Sequence, residues 1–528
     1  MGRLGIDFGT TNTVVVCSDR GRYPVVPHVA DTAIGHVIRE VFPSLIVYDR
    51  EDGTFRFGME AERCLVRAGG ESRYVVIRSL KRLLRNYAEG MTVASDTVVG
   101  GLVVADLLRR FGDALKTSVT RSQFLHEDEA LEAVITWPAN ANGAQRYVTR
   151  RFFKEAGFEV VDALNEPTAA AIEFADRLAK GNRTRARRLS AWVAVFDLGG
   201  GTFDASLVRI DGPEFTVAHA GGIEHLGGDD FDLVLARMFA DRLNLRLEAL
   251  SPFQRELFVR HACQLKESIS GGLVDVLTLN PEEVGLPGSP CAVSVAAFFA
   301  ELRPLVERSV EKLWSVVSTA YERGDGVDPG RLDAIYMVGG ASRLPLVSRM
   351  VADRFPNSRL VVSDKPFTAT AMGAAIRSAE EMTLHEVLSR NFGCIRLAEN
   401  GTREYFSMIF RAGVKLPARG EPPLEHQVEY SPRHNVAYLR YLECAGVDDQ
   451  ERPSEGVREW SAVLFPYDPA IPPGTELTRD MVVERGDLHA ERICETYRCD
   501  SDGVITVTIA RLGDGRSCAY EVFKVADA

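Results

Sequence analysis

Near its start, the chain carries residue types that suit the binding of a phosphate group and a metal ion. The segment GIDFGTTNTVVVC is an apolar run that ends at Asp7, followed by a glycine, two threonines and a second apolar run. This order predicts a strand, a tight turn and a second strand. The turn consists of Gly9, Thr10 and Thr11. Because glycine has no Cβ, backbone N–H groups and threonine hydroxyls in such a turn can lie against an anion.

The same pattern recurs in VAVFDLGGGTFDASLV, from Val193 to Val208, where Asp197 matches Asp7. The second turn consists of Gly199, Gly200, Gly201 and Thr202. A carboxylate beside a phosphate is repelled unless a divalent cation lies between them, so Asp7 and Asp197 predict Mg²⁺ held through water. Two ordinary glycine hairpins would not explain why both copies carry the aspartate. The repeat therefore predicts two related halves.

Two further segments fit such a site. AIYMVGGASRLPLVSRMV predicts an apolar strand, a turn at Gly339 and Gly340, and a helix carrying Arg343. A glycine turn there would let a nucleotide base or sugar approach the backbone. In NEPTAAAIEFA, Pro167 suits the first turn of a helix, so Glu166 would lie at the helix mouth. Glu166 is then either a capping carboxylate or a site residue.

Charge and composition argue against several classes of protein. The 528 residues have a formal net charge of −12, whereas nucleic acids and membrane surfaces are anionic and attract clustered basic residues. The basic run at residues 180–188 is interpreted as a solvated loop. Nine scattered cysteines without metal-ligand spacing indicate reduced thiols. Lacking a secretory signal or a spanning apolar run, the chain is expected in the cytoplasm.

These glycine segments, in this order and with NEPTAAA between them, resemble the ATPase domain of the seventy-kilodalton heat-shock chaperone family, the DnaK type. That family belongs to the actin and sugar-kinase superfamily. The resemblance extends over residues 3–378 and is weak beyond them. It implies an α/β, two-lobed, actin-like ATPase domain at residues 1–380, built on duplicated mixed sheets with helices. A linker at 381–393 and a small all-β sandwich at 394–528, resembling the substrate-binding domain, would follow.

The resemblance also implies slow, Mg²⁺-dependent hydrolysis of ATP to ADP and phosphate. Lys81 matches the lysine that orients the attacking water, although taken alone it would be read as a solvated helix residue. The implied catalytic residues are Lys81, Glu166, Asp197 and Asp7. The implied nucleotide-binding residues are Gly9, Thr10, Thr11, Gly199, Gly200, Gly201, Thr202, Gly227, Gly228, Lys266, Ser270, Gly339, Gly340 and Arg343. Pro138 and Arg146 match residues that couple the nucleotide state to the partner domain.

The chain departs from the family at identifiable positions. Glu267 stands where an arginine can stack on adenine, which would weaken nucleotide affinity. Phe367 and Thr368 replace an acidic pair before the last helix of the domain. Asp162 stands where the family tends to have a basic residue that meets J-domain partners. This charge reversal would disfavour an acidic partner motif.

After residue 393, short alternating runs separated by turns predict strands, with the strongest hairpin signal at Asp502 and Gly503. The sequence stops at Ala528, so the helical lid of typical members is expected to be missing and bound peptide to dissociate fast.

The leading hypothesis is a chaperone in which ATP hydrolysis alters the binding of extended apolar segments of unfolded polypeptide. J-domain and nucleotide-exchange co-chaperones are candidate partners. The alternative is a nucleotide-switched binding module for one dedicated protein partner, suggested by Asp162 and by the poor match of residues 421–487. A metabolite kinase is disfavoured because no sugar-site pattern is present.

Overall fold

The computed structural model describes residues 2–32, 35–66, 73–84, 87, 91–93, 102–122, 125, 129–179, 184, 188–272, 274–380, 382–398, 403–448, 450, 452–460 and 462–522. The chain divides into two compact units. The first contains residues 1–86, 90–139 and 149–382, and the second contains 87–89, 140–148 and 383–528. Most of the basic run at 180–188 lies outside the described residues.

The first unit contains two mixed sheets with the same strand order. The strands of the first sheet are, in spatial order, Glu159–Asn165, Leu131–Trp137, Gly2–Phe8, Asn12–Ser18 and Phe42–Pro43. The corresponding strands of the second are Leu360–Val362, Ala334–Val338, Ser190–Leu198, Thr202–Asp211 and Glu214–Glu224. In both sheets the central strand is antiparallel to the next strand along the chain and parallel to its other neighbour. The predicted repeat is therefore a repeat of topology.

Smaller strand groups complete the first unit. They are His28–Thr32 with Gly35–Arg39, Thr92–Val93 with Leu102–Val103, Val276–Leu279 with Cys291–Ser294, and Leu45–Asp49 between Thr54–Phe57 and Tyr74–Arg78. The described α-helices of the chain are Gly58–Val66, Leu80–Leu84, Val104–Thr120, Gly143–Glu155, Glu166–Ala179, Gly228–Arg242, Pro252–Ile269, Val295–Glu322, Pro345–Arg354 and Ala369–Ala379. Residues 143–148 of helix Gly143–Glu155 belong to the second unit. The 3₁₀ helices are Leu247–Ala249, Pro281–Val284 and Gly340–Arg343. No helix in the described part of the chain is both long and apolar enough to cross a membrane.

Helix packing explains why small residues follow the NEPT segment. Strand Glu159–Asn165 runs directly into helix Glu166–Ala179, whose proline is in the first turn. A Cβ atom at Gly373, in helix Ala369–Ala379, would collide with the carbonyl group of Ala169. Only a glycine allows so close an approach of the two backbones. This contact fixes the helix that begins with Glu166.

The second unit is built mainly from two antiparallel sheets. One contains Arg403–Phe410, Asn391–Ala398, Val436–Cys444 and Arg458–Glu459, with Val463–Pro466 also paired to Val436–Cys444. The other contains Leu424–Tyr430, Ile493–Cys499, Ile505–Arg511 and Ser517–Glu521. Strands Thr383–His385, Gly446–Val447 and Pro453–Glu455 and 3₁₀ helices Arg479–Met481 and Gly486–Ala490 complete the elements. Residues of both sheets share one buried core.

That core contains a polar network. Glu495 is fully buried and forms an ion pair with Arg396, with 2.6 Å between Nη2 and Oε2. The hydroxyls of Tyr430 and Tyr497 donate hydrogen bonds to the same carboxylate, and Tyr467 contacts Tyr430 through its hydroxyl. A buried charge of this kind is tolerated only when several partners satisfy it.

Candidate functional site

The two predicted turns are the loops of two β-hairpins, and the strand register decides which side chains meet. In the first hairpin Asp7 lies opposite Val14. In the second, Asp197 lies opposite Asp204. Asp204 is 1% exposed and accepts a hydrogen bond from the N–H of Ala139 at 3.0 Å. The sequence prediction missed Asp204, although symmetric pairing about the four-residue turn Gly199–Thr202 would have placed it opposite Asp197.

Lys81 and Glu166 form a buried ion pair in the first unit. Lys81 lies on the short helix Leu80–Leu84, and Glu166 is the first residue of its own helix. Both residues are 6% exposed. The interpretation of Lys81 as a solvated helix residue is therefore wrong, because its ammonium group pairs with a long-range partner that local sequence does not reveal.

Lys81 interacts electrostatically with four carboxylates, those of Glu166, Asp7, Asp197 and Asp204. Burial, then Asp204 and Asp7, raise the pKa of Asp197 to about 8. Burial also raises the pKa of Asp7, against the opposing effects of Lys81 and of a 2.9 Å hydrogen bond donated by Thr136. The pKa of Glu166 is raised well above its usual value by burial and by the three aspartates, against Lys81. One lysine does not balance four carboxylates, so the cluster suits an added cation.

Among the described residues, no three acidic, histidine or cysteine side chains are arranged to hold a metal ion directly. The excess of acidic groups nevertheless fits a divalent cation that reaches the carboxylates through water, as the sequence predicts for Asp7 and Asp197.

The two predicted phosphate turns lie against each other. A Cβ atom at Gly200 would collide with Thr11, and one at Gly201 would collide with Thr10. Arg82, next to Lys81 in the chain, donates a 2.8 Å hydrogen bond to the carbonyl of Gly201. Threonine hydroxyls and backbone groups of both hairpins are thus brought to one place, where an anion could contact both. Gly9 and Thr202 flank these contacts within their turns.

The Gly227–Gly228 segment joins the second turn through backbone hydrogen bonds. The N–H groups of Gly228 and Asp229 donate to the carbonyls of Gly199 and Gly200 at 2.9 and 2.7 Å. A Cβ atom at Gly227 would lie 2.5 Å from the Gly200 oxygen, so only glycine fits there. Thr11 also donates to Asp229 at 3.3 Å, a contact that the sequence did not reveal.

Lys266 closes one side of this region. Its Nζ donates to the Gly228 carbonyl at 3.0 Å and forms an ion pair with Asp232 at 2.7 Å. Burial acts to lower the pKa of Lys266, but the nearby Asp232 carboxylate acts in the opposite direction, and the pKa is raised overall. Ser270 caps the C-terminus of the helix Pro252–Ile269 that carries Lys266.

The Gly339–Gly340 turn follows the strand next to Asp197, with Val338 in register with that aspartate. Gly339 has φ +79°, and a Cβ atom there would collide with the Leu198 carbonyl. The predicted helix after this turn begins later than expected. Arg343 is exposed at the end of a 3₁₀ helix, and the α-helix starts only at Pro345, whose ring favours the first helical position.

The two residues predicted to transmit the nucleotide state fall in different units. Pro138 is buried directly after strand Leu131–Trp137 of the first unit. Arg146 belongs to the second unit, where it donates to the carbonyl of Asp502 at 2.8 Å and to the hydroxyl of Ser389 at 3.2 Å.

Matching mixed sheets, each with a glycine and threonine turn beside one acidic cluster, define the chain as a duplicated α/β protein with a second unit built mainly from β-strands. The family model described as Hsp70 protein matches residues 103–387. The chain belongs to this Hsp70 family.

The chain is also similar to curated bacterial proteins named chaperone protein HscA homolog. It is 32% identical over 391 residues to that of Burkholderia ambifaria, covering 71% of this chain and 58% of the relative. It is 33% identical over 392 residues to that of Pseudomonas fluorescens, covering 71% and 57%. For Tolumonas auensis the identity is 31% over 410 residues, covering 74% and 61%. The chain therefore spans less than two thirds of the length of these relatives.

Proposed function

We propose that the first unit is an actin-like ATPase of the Hsp70 type, which binds ATP with Mg²⁺ and hydrolyses it slowly to ADP and phosphate. The observation that carries the proposal is the buried Lys81–Glu166 pair beside Asp7, Asp197 and Asp204. Phosphoryl transfer needs chiefly positioned donors and charge neutralisation. Lys81 is a positioned donor, and a divalent cation held by the carboxylates would supply the neutralisation.

Each part of the site has a role in this mechanism. The two turns bind the terminal phosphates through backbone N–H groups and threonine hydroxyls. Mg²⁺, held through water by Asp7 and Asp197, would neutralise negative charge on the phosphates. Lys81 orients the attacking water, and Glu166 fixes the position of the Lys81 ammonium group through their ion pair. Gly227, Gly228, Lys266, Ser270 and the Gly339–Arg343 segment bind the nucleoside part.

We further propose that nucleotide turnover switches the affinity of the second unit for extended apolar polypeptide segments. This activity is supported by membership of the Hsp70 family and by relatives whose names describe chaperones. Residues 1–380, 381–393 and 394–528 would act as ATPase domain, linker and peptide-binding domain. Pro138 and Arg146 would transmit the nucleotide state.

One observation favours the second candidate, a switch for a single dedicated partner. The carboxylate of Asp162 forms a 2.9 Å ion pair with Arg377, and both side chains are 15% exposed. Position 162 therefore carries a carboxylate that is already paired within the chain, in place of a cation that could pair with an acidic motif on a J-domain partner.

The experiment measures ATP turnover and the dissociation rate of a fluorescent apolar peptide, with ATP or ADP and Mg²⁺, in three proteins. These are the wild type, Lys81→Ala, and the control Lys154→Ala, which removes an exposed lysine. We expect Lys81→Ala to lower turnover about 100-fold or more while ATP still binds. Wild-type peptide release should be faster with ATP than with ADP.

Normal turnover in Lys81→Ala would remove the proposed catalytic site. Turnover without peptide binding in any nucleotide state would favour the dedicated-partner switch.

A further inference from the structure

Phe367 is an exposed aromatic residue beside the Gly339–Gly340 turn. Its side chain is 44% exposed. Its ring is the group that a Cβ atom at Gly340 would strike, so the ring lies directly over that glycine. Isolated exposed aromatic side chains are common and need no explanation. This one differs because it lies at the turn that adjoins Asp197 in the sheet register.

The backbone around Phe367 is fixed on both sides. The N–H of Gly339 donates to the carbonyl of Pro366 at 3.0 Å, which ties the two loops together. The carbonyl of Lys365 accepts from the N–H groups of Thr368 and Ala369 at 3.1 and 3.0 Å, which closes a tight turn around Phe367. The ring is therefore presented by a rigid loop, so little conformational entropy is lost when a ligand contacts it.

The neighbours of Gly340 link this ring to the proposed nucleotide site. A Cβ atom at Gly228 would contact both the Nζ atom of Lys266, at 3.0 Å, and Ala341, at 3.7 Å. Gly228, whose N–H donates to the Gly199 carbonyl, therefore lies beside Ala341, the residue that follows Gly340. The Phe367 ring over Gly340 is thus close to the segment that joins the second phosphate turn.

We infer that Phe367 stacks on the base of the bound nucleotide and supplies base affinity in this chain. The inference rests on the proposed ATPase function and identifies how the same site holds its substrate. Stacking on an aromatic ring tolerates different bases, since every base has a π face. Nucleotide affinity should therefore depend more on whether the ligand carries a purine base than on which purine base it carries.

The experiment measures equilibrium binding of ATP, GTP and ribose triphosphate, each with Mg²⁺, to four proteins. These are the wild type, Phe367→Ala, Phe367→Trp, and the control Tyr321→Ala, which removes an exposed aromatic residue elsewhere. Phe367→Ala should weaken ATP and GTP by similar factors of about tenfold, as base stacking predicts. Binding of ribose triphosphate should not change, and Phe367→Trp should restore ATP binding.

The fluorescence of Phe367→Trp adds a direct readout, because ATP should quench it and ribose triphosphate should not. An ATP affinity of Phe367→Ala within twofold of the wild type would overturn the inference, as would equal weakening of ribose triphosphate. Wild-type protein that binds neither ATP nor ribose triphosphate would overturn the proposed function and the inference with it. If the wild type binds ATP and Phe367→Ala binds it equally well, only the inference about Phe367 is overturned and the proposed function stands.

Discussion

Asp197 and Asp204 are opposite residues of one hairpin, and their mutual repulsion adds to the larger cost of burying the Asp197 carboxylate. Both are buried, and with Asp7 and Glu166 they surround one lysine. In the absence of a cation, the cluster can lower its charge only by holding protons. Proton binding and metal binding are therefore competing ways to stabilise the same carboxylates.

This competition predicts how stability depends on pH. The pKa of Asp197 is about 8 in the folded protein, compared with about 3.9 for an unfolded aspartate. The folded state therefore binds more protons than the unfolded state between about pH 4 and pH 8, and the stability due to this proton is lost as pH rises through that window. With a chelator present and no nucleotide, the free energy of unfolding of the wild type should fall as pH rises through this window. Asp197→Asn should reduce that slope by up to about 1.4 kcal/mol per pH unit.

Urea unfolding at several pH values measures this effect, and the exposed Asp241→Asn is the matched control. An identical pH slope in the wild type and in Asp197→Asn would show that Asp197 does not hold the proton.

At the scale of secondary-structure elements, close backbone contacts between helices hold the site residues in position. Helix Glu166–Ala179 is positioned by the approach of helix Ala369–Ala379 at Gly373, which faces the Ala169 carbonyl. Because Glu166 and Ala169 are three residues apart on one helix, moving one of them moves the other. Any residue larger than glycine at position 373 must therefore disturb the Lys81–Glu166 pair.

Gly373→Ala tests this arrangement. We expect the variant to lose about 1–3 kcal/mol of unfolding free energy, because the added methyl group overpacks the helix contact. ATP turnover should fall as well, since Glu166 is displaced. Gly271→Ala is the control, because its Cβ atom would lie 3.6 Å from the nearest atom, the Ser268 oxygen. A Gly373→Ala protein as stable and active as the control would contradict the packing argument.

Local patterns predicted these elements where a turn residue fixes the chain. The two glycine turns correctly predicted both hairpins, and Pro167 correctly predicted the start of the helix that begins at Glu166. The sequence pattern failed where distant contacts decide. Lys81 is buried by a partner 85 residues away, and Asp204 gains its role only from the hairpin register. The α-helix expected directly after Gly340 begins instead at Pro345.

In the molecule as a whole, each unit has its own buried core. The ion pair of Arg396 and Glu495 joins residues 99 positions apart, so no local pattern could have predicted it. Although its strands were predicted, the second unit contains a buried charge that the alternating runs do not indicate. This charge makes the stability of that unit sensitive to single substitutions.

Calorimetry of the full chain should therefore resolve two unfolding transitions. Glu495→Ala leaves Arg396 buried without its carboxylate, so it should destabilise one transition by about 3–5 kcal/mol. Glu425→Ala, which breaks an exposed ion pair with Arg498, should cost at most about 1 kcal/mol. ATP with Mg²⁺ should raise only the other transition, through ligand linkage. A single unfolding transition that is shifted both by Glu495→Ala and by ATP with Mg²⁺ would contradict separate cores.

The two hairpins share a topology but not a charge pattern, because Val14 occupies the place that Asp204 has in the second copy. A symmetric homodimer of either half would therefore not rebuild the acidic cluster. The first half lacks the paired aspartates, and the second lacks Lys81 and Glu166. One chain thus contains two equivalent frameworks, and the cluster of carboxylates around one lysine exists only because the two copies differ in sequence.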